Sequence, residues 1–131
     1  MSQKTLFRIA VVAGALTYVA YWFLPYTYSY LDSFTGSLLS YAGHDAIFVG
    51  SELFHNAIFT AWLAVAVGLI LFRKIARTAL FILVVATTAL SPLYGVSVET
   101  AGGATLISIA NMSDGLVLAL AYFSPVKNEF Y

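Results

Sequence analysis

The sequence predicts an all-α membrane protein, a bundle of four transmembrane helices with both termini on the cytoplasmic side. Three observations carry that prediction. First, 61% of the 131 residues are hydrophobic and 9% are charged, whereas soluble domains hold about 45–50% and about 25%. A chain of this length cannot bury so much apolar side chain in its own core, so lipid must solvate it. Second, four stretches approach the roughly 20 apolar residues that cross a hydrocarbon core of about 30 Å. Third, all 6 Lys and Arg residues fall on one side of a four-span threading, and basic residues mark the cytoplasmic side. The whole chain, residues 1–131, reads as one multi-pass domain of a cell (plasma or inner) membrane.

Span one, residues 6–24, follows Lys4 and Arg8 and stops at Pro25. Its apolar run ends in Tyr-Trp-Phe-Leu-Pro-Tyr with no small-x-small cleavage motif, so it reads as a retained helix, not a signal peptide. Tyr18, Tyr21, Trp22, Phe23, Tyr26, Tyr28 and Tyr30 crowd its outer end. Such rings form a belt at headgroup level; the sharper reading is a surface for a lipid, a quinone or a partner helix. Tyr26, Tyr28 and Tyr30 alternate, as in an extended segment after a proline. The following loop carries Leu38-Leu39 and reads as a short helix lying on the membrane surface.

Span two covers residues 46–72 and ends at Arg73-Lys74. Span three, residues 75–94, contains Pro92, which cannot donate to the Thr88 carbonyl and so kinks or ends the helix there, freeing that oxygen. Span four, residues 101–123, opens on Gly102-Gly103, which suits close helix packing, and ends at Ser124-Pro125. Lys127 follows it, and Arg77 stands with Arg73 and Lys74 between spans two and three, so the outer loops hold no basic residue. Pro25 and Pro92 at matching ends of spans one and three hint weakly at duplicated hairpins. Asn111-Met112-Ser113 fits a glycosylation triplet, but it falls inside the bilayer.

Ionisable side chains inside spans are costly and are functional candidates by default. Glu52, His55 and Asp114 are the three found here. Depth sorts them. At about 1.5 Å per residue, His55 and Glu52 stand about 26 and 30 Å above the inner boundary, and Asp114 about 14 Å. Two polar layers follow. The outer one holds Glu52, His55 and Asn56, with Ser91, Tyr94, Thr105 and Ser108 at its level and Tyr21 and Trp22 near. The middle one holds Asp114 and Asn111, with Thr17, Tyr18, Thr87 and Thr88 at its level and no basic residue to balance a carboxylate. His44, Phe48, Glu52, His55, Phe59 and Trp62 recur at helical spacing and read as one protein-facing stripe of span two, with Glu52 and His55 close enough to touch.

Several chemistries lack the residues they need. Without Cys there are no disulfides, thiolate metal sites or thiol nucleophiles. Glu52-x-x-His55 has the spacing of a di-iron helix motif, but the second such pair is missing. Glu52 and His55 are weak metal candidates; on a straight helix His44 is about 16 Å from His55, too far to share an ion. A bis-histidine haem would need a second copy. No nucleophile elbow or phosphate loop occurs, so no enzyme and no cofactor is expected. Zero net charge without a basic run speaks against nucleic acid as a partner. Two functions fit. The favoured one is an accessory or structural subunit of a homo-oligomer or larger membrane complex, with the polar residues joining helices. The alternative is a small proton- or cation-translocating protein using Asp114, Asn111, Thr87 and Thr88 with an outer Glu52, His55 and Asn56 group.

Overall fold

A computed structural model of the chain describes residues 2–131, and all its regular structure is helical. Four helices are long and apolar enough to cross a membrane. α1 spans Gln3–Phe23, capped by the Ser2 hydroxyl, which accepts the Thr5 N–H at 3.2 Å. It runs on into a 3-10 turn, Leu24–Tyr30. The tyrosines 26, 28 and 30 are therefore coiled, not extended. A proline φ suits the first turn of a helix as well as an extended chain. The short α2, Ser33–Leu39, follows in the loop as the sequence suggests, capped by Asp32.

α3 spans Glu52–Ile70, and its 19 residues rise about 28 Å. Ser51 caps it, its hydroxyl accepting the Phe54 N–H at 3.2 Å. This start lies well after the expected residue 46. Ile47 and Phe48 N–H groups both donate to the Leu93 carbonyl, at 2.9 and 3.0 Å, and Val96 exchanges bonds with Gly43 and His44. Residues 43–48 are thus clasped to residues 93–96 and unavailable to the helix. His44 and Phe48 leave the expected stripe, and the helical-spacing argument about His44 lapses with them.

Phe72 makes the turn to α4 with a positive φ of 53°. α4 spans Lys74–Leu90 and ends in a 3-10 turn, Ser91–Tyr94. Pro92 frees no carbonyl at Thr88, because the Ser91 hydroxyl donates to it at 2.9 Å. α5 spans Ala101–Phe123 behind a Thr100 cap. A final 3-10 turn, Pro125–Glu129, folds back under the bundle.

Around the bundle the order is α5, α1, α3, α4. α1 and α5 pack closely through small residues: a Cβ at Gly14 would stand 3.1 Å from that of Ser113. α4 meets α5 at one end only, through Arg77, Phe81 and Tyr122. The core is equally one-sided. Among its buried residues, Phe7, Val11, Leu69, Phe72, Leu80, Val117, Val126 and Phe130 lie toward the end that holds Lys4 and Glu129. Those two pair at 2.7 Å, so both ends of the described chain meet there. Arg8 stacks over Phe72, Arg73 over Tyr131, and Arg77 over Tyr122 and Phe130. Lys74 and Lys127 complete the set. One end of the bundle is therefore basic and tightly packed. The other carries Asp32, Asp45, Glu52 and Glu99 and is loosely packed.

Candidate functional site

Because the core fills only the basic half, the helices leave space above it. A cavity of about 440 Å³ opens near mid-span, between all four long helices. Its floor is Val11, Leu69, Leu80 and Val117. Its polar residues are Tyr18 from α1, Thr87 and Thr88 from α4, Ser91 beyond it, and Asn111 and Asp114 from α5. This is the middle layer of the sequence, less Thr17, whose hydroxyl turns to its own helix at Ala13. No Lys, Arg or His lines the space.

Asp114 is half-buried, and among the described residues its carboxylate accepts no hydrogen bond and joins no ion pair. Two of the neighbouring hydroxyls are directed elsewhere: Thr87 donates to Leu83 at 2.8 Å and Ser91 to Thr88. Thr88 and Asn111 are exposed on the side where α4 and α5 part, so the cavity opens through that gap.

A second cavity of about 720 Å³ lies toward the acidic end. Glu52, His55 and Asn56 line it with Tyr21, Trp22 and Glu99. Glu52 and His55 share the cavity without pairing, since neither forms an ion pair or a hydrogen bond with the other. Glu52 occupies the first turn of α3, where the helix dipole favours a carboxylate. The other outer-layer expectations fall outside. Thr105 and Ser108 bond back to their own helix, Tyr94 packs on Phe48, and Ser91 belongs to the middle cavity.

Glu99 is the residue that sequence reasoning missed. The Tyr21 hydroxyl donates to its carboxylate at 2.6 Å, joining α1 to the start of α5. Gly103 makes the room: a Cβ there would come within 2.6 Å of the Glu99 carboxylate and 3.2 Å of Leu24. The signal was present in Glu99-Thr100-Ala101-Gly102-Gly103, an acid beside a helix cap with a glycine one turn on.

An aromatic layer stands between the two cavities. Trp22 stacks on Phe59 with centroids 4.4 Å apart, and Tyr18 touches Phe59 and Trp62 at 5.7 and 5.6 Å. Trp22 faces the outer space, Tyr18 and Trp62 the middle one.

Among the described residues no three His, Asp or Glu side chains gather as a metal site would need. His44 pairs instead with the adjacent Asp45 at 3.2 Å. No protein-family model, curated protein or solved structure matches this chain. Chemically, the middle cavity offers one carboxylate without a counter-charge between helices of membrane-spanning length. A carboxylate in such surroundings is stable only when a proton or another cation neutralises it.

Proposed function

We propose that the protein is a multi-pass protein of a cell membrane that takes up a cation, a proton included, from the outer side and holds it at Asp114. One observation carries the reading: Asp114 faces a mid-span cavity with no basic residue and no hydrogen-bond partner. The positive-inside rule turns the basic end, with both termini, to the cytoplasm. The vestibule of Glu52 and Glu99 then faces out, where two carboxylates raise the local concentration of cations. Below Asp114 the path is shut by Leu69, Leu80 and Val117 and by the Phe7, Phe72 and Phe130 cluster. This conformation is therefore shut toward the cytoplasm, where passage requires that packing to loosen, and entry from the vestibule passes the Trp22, Phe59 and Tyr18 layer. Uptake of protons or Na⁺ into proteoliposomes tests the proposal. Wild type takes up the cation and Asp114→Asn loses it; equal uptake by both refutes the role of Asp114.

A second reading, an accessory subunit of a homo-oligomer or larger membrane complex, is favoured by a different observation. Thr88 and Asn111 are exposed at mid-span where α4 and α5 part, and a polar strip at that depth calls for a protein neighbour. Cross-linking through that gap in native membranes, with no cation uptake by wild type, would favour it over the first.

A further inference from the structure

We infer that the middle cavity binds an organic ammonium ion, its charged head at Asp114 and its apolar body against Tyr18, Trp62 and the aliphatic floor. The inference rests on the reading of Asp114 as a cation acceptor and narrows it to a chemical class. Charge, ligand geometry, wall chemistry, volume and access select that class. The site offers one carboxylate and otherwise only uncharged groups, so it suits a single positive charge. A hard metal ion collects about six or more oxygen ligands at about 2.0–2.6 Å. Here the side-chain oxygens are spread over four segments around about 440 Å³, and only one of them is a carboxylate.

The walls add a second selection. Tyr18 and Trp62 line the cavity and pack on each other, and Tyr18 packs on Phe59 as well. Aromatic faces attract ammonium groups, Trp most strongly, and best where water is excluded. The floor of Leu69, Leu80 and Val117 has nothing to offer a hydrated ion but packs against alkyl or aryl substituents. The volume falls within the ~300–1,000 Å³ of organic-ligand pockets. Finally, the parting of α4 and α5 gives a lateral way in for an amphiphile dissolved in the membrane, which a small hydrated cation could not use.

Trp22 and Trp62 are the two tryptophans, so a Trp22→Phe background leaves Trp62 as the reporter inside the cavity. Benzyltrimethylammonium is the probe. Neopentylbenzene, its uncharged carbon isostere, is the control for partition into the nanodisc lipid. The full chain in nanodiscs should show saturable quenching of Trp62 by the ammonium ion, at least roughly tenfold tighter than by the isostere. Asp114→Asn, with unchanged Trp62 emission in the free state, should weaken that binding by at least roughly tenfold. Equal affinity for ion and isostere overturns the inference. No binding of the ammonium ion, with proton or Na⁺ uptake still dependent on Asp114, overturns it and leaves the cation-acceptor reading intact. Tight binding of the ion to Asp114→Asn overturns both.

Discussion

Phe130→Ala tests whether the basic end is the stable half of the bundle. Phe130 is 4% exposed. Its ring meets Phe7 and Phe72 edge-on at 5.7 and 5.5 Å and lies under the Arg77 guanidinium at 5.2 Å. Burying such a ring is worth about 1.5–3 kcal/mol. Two aromatic pairs add about 0.5–1.5 kcal/mol each. The sum overlaps the ~3–5 kcal/mol measured for Phe→Ala in cores, and that loss is the expected one. Chemical unfolding in micelles reads it. Hydrogen exchange reads where it falls: the Tyr131 N–H, bonded to Phe72, and the Lys74 N–H, bonded to Tyr131, should lose protection. Amides of the outer half of α5 should not, because the two halves share little core. A loss below about 1 kcal/mol, or a uniform loss of protection along α5, would refute the one-sided core.

Three further outcomes follow from local geometry. Gly68→Ala should destabilise the α3–α4 hairpin by about 1–3 kcal/mol, because the new Cβ would stand 2.6 Å from that of Ala76; a neutral thermal scan would show that the turn can yield. Tyr21→Phe and Glu99→Gln should couple in a double-mutant cycle by at least about 0.5 kcal/mol, since one hydrogen bond of 2.6 Å joins them; strict additivity would mean that the bond is not formed. The Thr35 hydroxyl and N–H hold the Asp32 carboxyl below its ordinary value. Its contribution to α2 is thus complete above about pH 4 and fades as pH falls through the lowered value. The protection factor of the Thr35 amide, its exchange rate relative to the intrinsic rate at each pH, should fall on acidification in wild type and stay flat in Asp32→Asn; parallel profiles would count against the cap.

Helix number and the ends of α5 were legible because hydropathy and the Thr100 cap are local signals. The depth argument likewise separated Asp114 from Glu52 and His55, which line two different cavities. What escaped was non-local. The Ala46-to-Ser51 stretch is apolar enough to continue a helix, and the backbone bonds of Ile47 and Phe48 to Leu93 remove it. Hydropathy did not weigh Ser51 as a cap. The Thr88 carbonyl looked free because Pro92 removes a donor; the Ser91 hydroxyl, next to that proline, replaces it. Glu99 lies in a short loop outside every span, and its partner Tyr21 fits an interfacial belt. Their bond crosses the chain from α1 to α5, which periodicity within one helix does not encode.

The central claim is that the mid-span carboxylate is reached from the acidic side, past the aromatic layer, and not from the basic side. The chain has no cysteine, so Asn111→Cys introduces a single thiol beside Asp114 in the middle cavity. In oriented vesicles, a membrane-impermeant cationic methanethiosulfonate should react from the outer face and not from the cytoplasmic face. It should outpace its anionic counterpart by roughly tenfold, and that ratio should fall to about one when Asp114→Asn is added. Labelling from the basic side alone, or a charge preference that survives Asp114→Asn, would contradict the account.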